Sequence, residues 1–279
     1  MGGSGITVRR VSGAIGAEIG GVNLSQELSA DAVEVLRRAL LDHLVIVLRG
    51  QDLTPARYMR FAESFGAPME YPMLRGLEGF PMITEVIKRE HETQNFGGVW
   101  HSDTTYLEQP PMGTMLLARE VPPVGGDTVF ANQYLAYETL SDGMKRLLNG
   151  LIGVSDSALA DASRFREDVN PADRRWDQKK RLIAEHPVVR THPETGRKSL
   201  FLNIGHTARF KDMTTDESAP LLQFLFQHQK REEFTCRIAW QPGTLAFWDN
   251  RCALHYPIND YHGHRRLMHR ITLAGDRPR

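Results

Sequence analysis

The feature of this sequence that most restricts its fold is a series of short β-rich runs that begins near residue 81 and continues to the end of the chain. Most runs are bounded by Gly, Pro, Asn or Asp, which is the pattern of strands separated by turns. The runs are MITEVIK, MGTMLLARE, DTVFANQ, HPVVRTH, SLFLNI, FTCRIAW, TLAFWDN and RLMHRITLAG. So many strands around one core predict a mainly β fold with helical insertions, an antiparallel sandwich or barrel such as a jelly roll.

The first part of the chain predicts two helices among strands. Residues 6–24 mix β-branched residues with repeated glycines, which indicates short strands and tight turns. The segment LSADAVEVLRRALLDH has apolar residues at helical spacing after Ser29, a plausible N-cap. LVIVLRG (44–50) is a short apolar run that predicts a buried strand. TPARYMRFAESFG predicts a second helix, capped by Thr54 and ended by Gly66.

Two helical insertions interrupt the later strand series, at about residues 135–151 and 214–230. Between them, residues 156–185 are polar, highly charged and poor in periodicity. Strands resume on the far side, so we interpret this stretch as an excursion and not as a linker. It could be a lid that closes over a pocket, or surface decoration.

No clear domain boundary is present, so we predict one domain over residues 1–279. Its N-terminal strands and helices would occupy residues 1–66, and its jelly-roll core would occupy about 67–279.

Charge and cysteine content restrict the function. The 34 basic and 34 acidic residues form no long block of one sign, which argues against a partner such as nucleic acid or a membrane surface and favours a small molecule. Cys236 and Cys252 are too few for a disulfide framework, as expected in a reducing compartment. No apolar run is long enough for a membrane span, and the start lacks a signal-peptide core. We therefore expect a cytoplasmic protein.

The stretch GVWHSDTTY places His101 and Asp103 one residue apart. On an extended segment, side chains i and i+2 lie on the same face, so the two could converge on one metal ion. Two histidines and one carboxylate are the ligand set of non-haem Fe(II) oxygenases. The best candidate for the second histidine is His255, in WDNRCALHY; taken alone, it would be interpreted as an ordinary core or loop histidine.

An iron with three protein ligands has open positions, and activation of O2 needs a two-electron donor. 2-Oxoglutarate can serve by chelating the metal, and its far carboxylate then needs a cation, preferably arginine, with a hydroxyl beside it. In RRLMHRITLAG, Arg266 and Arg270 alternate on one face, and Thr128 could supply the hydroxyl. The alternative is that both arginines line a solvated strand.

The combination resembles the taurine and aryloxyalkanoate dioxygenase family of Fe(II)- and 2-oxoglutarate-dependent oxygenases, over nearly the whole chain. The matching blocks are IGAEIGGVNLS, VIVLRGQ, WHSDTTYLEQPP, VPPVGGDTVFAN, HPVVRTHPETGRKSLFLN, WDNRCALHY and RRLMHRITLAGDRP. The resemblance implies a double-stranded β-helix, a dimer or tetramer of the chain, and use of Fe(II), 2-oxoglutarate and O2. The residues it assigns are His101, Asp103 and His255 to iron, Arg266 and Thr128 to 2-oxoglutarate, and Arg270 to the anionic end of the primary substrate.

Departures from taurine-oxidising members bear on the substrate. Tyr71 stands where those members have a histidine, Gly97 replaces an asparagine, and aromatic pocket positions are replaced near Ser157 and at His206. Tyr71, His206 and Phe201 are candidate pocket residues, although each could equally be structural.

We therefore expect hydroxylation of a small organic anion other than taurine, an alkyl sulfonate or sulfate ester that is cleaved at the hydroxylated carbon. An aryloxyalkanoate is the alternative substrate. A non-catalytic metal-binding jelly roll and a zinc hydrolase are alternatives of another class.

Overall fold

The secondary structure follows the predicted series of strands. The structure is a computed structural model that describes residues 5–72, 74–159 and 181–279. The strands in these residues are β1 (Thr7–Arg10), β2 (Ala17–Gly20), β3 (Val45–Leu48), β4 (Pro68–Met69), β5 (Gly76–Leu77), β6 (Phe80–Lys88), β7 (Gly113–Glu120), β8 (Thr128–Asn132), β9 (Ile152–Asp156), β10 (Ile183–Pro187), β11 (Val189–Thr191), β12 (Lys198–Leu200), β13 (Thr207–Phe210), β14 (Thr235–Ile238), β15 (Leu245–Asp249), β16 (Ala253–Pro257) and β17 (Arg266–Leu273). The helices are α1 (Ala30–His43), α2 (Pro55–Glu63), α3 (Gln133–Glu138), α4 (Asp142–Leu148) and α5 (Thr215–His228).

Two sheets form the central sandwich. The large sheet has the order β1-β2-β3-β15-β7-β17-β6-β5, and β4 also pairs with β17. The small sheet has the order β14-β8-β16. Nearly all pairings are antiparallel, with β2 and β3 as a parallel exception. This mainly β, jelly-roll arrangement confirms the predicted fold class.

Alternation along β7 shows how the large sheet is buried on both faces. Met115 and Leu117 point to one side and belong to a core shared with α1 and α2. Leu116 and Ala118 point to the other side, where they pack with Phe130 and other residues of the small sheet. Because both faces are covered, the strand is apolar almost throughout. A site between the two sheets must therefore place its polar groups among apolar side chains on this inner face.

The predicted first helices are present with one difference in length. The Ser29 side chain accepts a hydrogen bond from the Ala32 amide at the start of α1, and Thr54 does the same for Arg57 in α2. The helix α2 ends at Glu63 and not at Gly66. The Ser64 hydroxyl donates to the Arg60 carbonyl, and the last turn closes with shorter-range bonds, which ends the regular α-helical pattern.

The single helix expected at 135–151 is two helices. The Asn132 side chain caps α3, so that helix begins earlier, at Gln133. The Ser141 side chain accepts from the Met144 amide and starts α4 as a separate helix. A second capping residue within one apolar pattern therefore divides the expected helix into two. The helix expected at 214–230 is α5, which begins with a capping box made by Thr214 and Glu217.

The expected charged excursion at 156–185 lies mostly outside the described residues. The described parts are its ends, where β9 and β10 pair from Asp156↔Ile183 onward and Arg181 forms an ion pair with Asp156. Among the described helices, none combines the length and the apolar character that crossing a bilayer requires.

Candidate metal and cosubstrate site

A single pair of backbone hydrogen bonds holds His101 beside β16. The His101 amide donates to the His255 carbonyl at 3.0 Å, and the His255 amide donates back at 2.8 Å. His255 is thus a strand residue and not a loop residue after a strand. The premise of a continuous extended segment is wrong for Asp103, because only His101 bridges and Asp103 lies in a turn followed by Thr104 at φ 41°. The turn nevertheless brings the carboxylate to the histidines.

Close approach around His101 requires glycine. At Gly97, φ is +70°, and a Cβ would lie 2.8 Å from the His101 Cε1 atom. At Gly205, a Cβ would lie 3.1 Å from the His101 Cβ. A larger residue at either position would push the imidazole away. Gly97, which the sequence marked as a departure in the pocket, therefore also makes room for the ring.

His101, Asp103 and His255 converge on one point. The Asp103 Oδ1 atom lies 3.8 Å from His101 Nε2 and 3.7 Å from His255 Nε2. All three ligand atoms lie within 4.8 Å of one another. Ligand bonds to a divalent ion are about 2.1 Å long, so atoms less than about 4.2 Å apart can share one ion. Asp103 can therefore share one divalent ion with each histidine, and the three ligand atoms form the cluster that such an ion would occupy.

The protonation states suit metal binding. Burial lowers the pKa of His101 and holds that of His255 well below its usual value, so both imidazoles are neutral. Burial alone would raise the pKa of Asp103, but Arg270, together with a hydrogen bond from Thr114, outweighs it and keeps the pKa well below its usual range. Neutral imidazole and ionised carboxylate are the forms that bind metal.

Hydrogen bonds orient the ligand atoms. The His101 Nδ1 atom lies 2.7 Å from the Val99 carbonyl, to which it can donate only as Nδ1–H, leaving Nε2 as the free ligand atom. The Thr114 hydroxyl donates to Asp103 Oδ2 at 2.6 Å, and the Asn250 amide donates to Thr114 Oγ1 at 2.9 Å. Such outer bonds fix tautomer and carboxylate orientation in metal sites. Sequence reasoning missed Thr114 and Asn250, since only the strand register places them here.

Arg270 lies next to the triad on the inward face of β17. Its Nη2 atom is 2.8 Å from Asp103 Oδ1, and its guanidinium lies 4.3 Å from the centre of the Tyr71 ring. Burial acts to lower the pKa of Arg270, but Asp103 and Tyr71 more than offset it and raise the pKa. Tyr106, three residues after Asp103, was not singled out from the sequence. Its ring lies 5.1 Å from that of His206.

Arg266 and Thr128 both lie beside Trp240. The Trp240 Nε1–H donates to Thr128 Oγ1 at 3.0 Å, and the Arg266 guanidinium lies 5.6 Å from the centre of the Trp240 ring. Arg266 is only 6% exposed, and its Nε and Nη2 atoms have no hydrogen-bond partner among the residues that the structure describes. A buried guanidinium with free donors is suited to an incoming carboxylate.

Of the remaining predicted pocket residues, His206 adjoins the triad and Phe201 packs against other residues. Burial lowers the pKa of His206 to about 3, its Nδ1 atom is 2.9 Å from the Thr105 hydroxyl, and its ring lies 6.0 Å from that of His101. The Phe201 ring instead packs against His186 and Arg190.

Comparison with known proteins agrees with this geometry. Residues 7–272 match the family described as taurine catabolism dioxygenase TauD, TfdA family. The chain belongs to this family. An alkylsulfatase of Acinetobacter baylyi is 36% identical, covering 97% of this chain and 86% of that protein. An alpha-ketoglutarate-dependent sulfate ester dioxygenase of Pseudomonas putida is 35% identical, covering 98% and 91%. The crystal structure of a taurine dioxygenase from Burkholderia xenovorans aligns with a TM-score of 0.81 at 34% identity, covering 98% and 90%.

Membership of the TauD, TfdA family confirms the enzyme class expected from the sequence, a dioxygenase that uses 2-oxoglutarate, of which alpha-ketoglutarate is another name. The alignment with the taurine dioxygenase structure also agrees with the jelly-roll arrangement described above.

Proposed function

We propose that this chain binds Fe(II) through His101, Asp103 and His255 and uses 2-oxoglutarate to hydroxylate a small organic anion, an alkyl sulfate ester or alkyl sulfonate. The observation that carries the proposal is the convergence of a neutral-histidine and carboxylate triad with two buried arginines on one face of β17. Arg266 and Arg270 are each 6% exposed, which argues against the alternative that both line a solvated strand.

The protein residues would divide the work between metal, cosubstrate and substrate. Bound Fe(II) and 2-oxoglutarate together supply the oxidation by O2. Arg266 and the Thr128 hydroxyl hold the far carboxylate of 2-oxoglutarate. Arg270 and Tyr71 orient the anionic end of the substrate, and His206 forms part of the wall beside it. Burial of these groups excludes water and strengthens each charge interaction.

Apolar neighbours favour an alkyl chain over taurine. Val99, whose carbonyl accepts from His101, is 47% exposed, and Ile204, which precedes the glycine packed against His101, is 51% exposed. Taurine would place its ammonium group away from the sulfonate, whereas an alkyl sulfate places hydrocarbon there. The similarity to two sulfate-ester enzymes supports the same choice.

Hydroxylation next to the sulfate oxygen accounts for cleavage. The substrate R–CH2–OSO3⁻ gains one oxygen atom from O2 and becomes R–CH(OH)–OSO3⁻, which breaks its C–O(sulfate) bond to give the aldehyde and hydrogen sulfate. The second oxygen atom enters succinate as 2-oxoglutarate loses CO2. All atoms and electrons are accounted for by O2 and 2-oxoglutarate.

The test is an anaerobic titration of the protein with Fe(II) and then 2-oxoglutarate, followed by visible absorbance. Addition of O2 is then assayed for succinate across sulfate esters, sulfonates and aryloxyalkanoates. We expect a weak charge-transfer band and succinate formation with alkyl sulfates or sulfonates. Succinate formation only with aryloxyalkanoates would contradict the substrate assignment. Absence of both the band and succinate would contradict the proposed function.

A matched pair of arginine variants tests the cosubstrate contact. Arg266→Ala should raise the 2-oxoglutarate concentration required for half-maximal rate by roughly 100-fold, because it removes a buried charge-assisted contact. Arg265→Ala is the control, since that neighbouring side chain is 43% exposed and pairs with Glu120. Similar behaviour of the two variants would contradict the role of Arg266.

A further inference from the structure

Lys88 is a buried lysine opposite Arg266. It is the last residue of β6, and the register of β6 with β17 pairs Lys88 with Arg266 and Thr84 with Arg270. Residues directly opposite in an antiparallel pair project from the same face, with Cβ atoms about 5 Å apart. Lys88 is 3% exposed and Arg266 is 6% exposed. A lysine is rarely buried to this extent without a specific reason.

The surroundings of Lys88 belong to the Arg266 end of the site. Its Nζ atom lies 4.3 Å from the centre of the Tyr261 ring, and the Tyr261 hydroxyl donates to Asn95 Oδ1 at 2.8 Å. Lys88, Asn95, Tyr261 and Arg266 line one small cavity together with Pro257. Pro257 pairs in register with Thr128, so the same cavity adjoins the hydroxyl that faces Trp240.

Two cations on one buried face repel each other, and like charges opposite each other destabilise a sheet. Asp127 attracts Arg266 at longer range, but its carboxylate already accepts a hydrogen bond from Arg237 Nε at 2.5 Å. A ligand carboxylate in the small cavity that both side chains line would contact the ammonium and the guanidinium together.

We propose that Lys88 is a further binding residue for the far carboxylate of 2-oxoglutarate, acting with Arg266 and Thr128. This inference rests on the proposed function. The ammonium group adds a second positive charge beside the guanidinium fork, so a dicarboxylate is selected over a 2-oxo acid that lacks the far carboxylate.

The experiment measures binding and not turnover. The protein is loaded with Mn(II) and titrated by calorimetry with 2-oxoglutarate and with 2-oxopentanoate, which has the same carbon chain without the far carboxylate. The variants are Lys88→Met, which keeps the length of the side chain, Lys88→Arg, which keeps the charge, and Lys198→Met. The last is the control, because Lys198 is an exposed lysine on β12.

We expect Lys88→Met to weaken 2-oxoglutarate binding about tenfold and to leave 2-oxopentanoate binding unchanged. Lys88→Arg should restore most of the affinity, and Lys198→Met should match the wild type. If Lys88→Met does not fold, Lys88→Gln is used with the same criteria.

The outcomes separate this inference from the proposed function. An equal loss for both ligands would indicate a merely structural lysine and overturn the assignment, as would unchanged affinity for 2-oxoglutarate. Absence of 2-oxoglutarate binding to the wild-type Mn(II) protein would overturn the assignment and the proposed function together.

Discussion

In the part of the chain that the structure describes, two buried groups contain the residue types of a metal site, and they differ in what their ligand atoms already bind. One is the triad of His101, Asp103 and His255. The other, which we call the second cluster, is His192, Asp249 and Cys252. In each group, the potential ligand atoms lie within 4.8 Å of one another. Residue type and distance therefore do not distinguish them.

Hydrogen bonds occupy the second cluster. His192 Nδ1 accepts from the amides of Glu194 and Thr195, and its Nε2 is 3.0 Å from Asp249 Oδ2. The Arg251 guanidinium donates to both Asp249 oxygens, at 2.8 and 2.7 Å. Burial holds the pKa of the Cys252 thiol well above its usual value, so the sulfur keeps its proton. Because its ligand atoms already have hydrogen-bond partners or a proton, we expect this group to stabilise the fold and to bind no ion.

In the triad, no hydrogen bond of the described residues occupies the two imidazole Nε2 atoms, and the third inner atom, Asp103 Oδ1, forms an ion pair with Arg270 at 2.8 Å. The outer atoms His101 Nδ1 and Asp103 Oδ2 are fixed by Val99 and Thr114, and the inner atoms face one another with Arg270 as a nearby charge. The difference teaches that a functional cluster is recognised by the atoms that hydrogen bonds leave free and by the bonds that orient the others.

The largest expected effect comes from breaking the triad. Asp103→Asn should reduce metal content from one ion per chain to nearly zero and abolish succinate formation. Loss of outer partners alone costs about 10–100-fold in metal affinity, and loss of a direct ligand should cost more. Metal content after gel filtration gives the measurement. One firmly bound ion in Asp103→Asn would show that the triad is not the metal site.

The matched change in the second cluster should affect stability instead. Asp249→Asn weakens the charge-assisted hydrogen bonds of Arg251, which is 4% exposed and keeps its ion pair with Glu194, so the free energy of unfolding should fall by about 2–3 kcal/mol. Metal content should remain at one ion per chain. Urea unfolding with intrinsic fluorescence measures the stability. Loss of the ion together with unchanged stability would reverse the roles assigned to the two groups.

The sequence predicted the members of the triad because they lie in specific motifs, His101 and Asp103 in WHSDTTY and His255 in WDNRCALHY. It did not predict that Asp103 lies in a turn or that β16 carries His255. A bridge between residues 154 positions apart depends on the packing of two sheets, and the local pattern contains no signal for it.

Registers explain the other residues that sequence reasoning missed. Thr114 reaches Asp103 only because β7 lies between β15 and β17 in the large sheet. Lys88 is opposite Arg266 only because of the β6–β17 register. Alternation along one strand predicts which residues share a face, whereas the neighbour across the ladder is set by tertiary structure. Sequence reasoning likewise did not identify the second cluster.

The second cluster should also make the free energy of unfolding depend on pH. The pKa of Asp249 is well below its usual range in the folded protein: burial would raise it, but Arg251 and His192 outweigh burial. A carboxyl with a lowered folded pKa contributes stability above its unfolded pKa of about 3.9, and the contribution is lost as pH falls below that value. The difference in unfolding free energy between wild type and Asp249→Asn should therefore be largest at pH 6 and become smaller below about pH 4. Urea unfolding at several pH values measures it, and a difference independent of pH would contradict a charge effect.

The smallest effect is expected for the remaining member of the second cluster. Cys252→Ala removes a protonated thiol that ligates nothing, so the free energy of unfolding should fall by only about 1 kcal/mol, as for an ordinary core substitution. Titration with Zn(II), an ion that prefers thiolate and imidazole, should give one equivalent per chain in both wild type and Cys252→Ala, because of these two groups only the triad has imidazole nitrogens free of hydrogen bonds. A second equivalent in the wild type that disappears in Cys252→Ala would show that zinc can displace Arg251 from Asp249 and deprotonate the thiol. The hydrogen bonds of the second cluster would then be too weak to exclude a metal, and saturation of the ligand atoms would no longer separate the two groups.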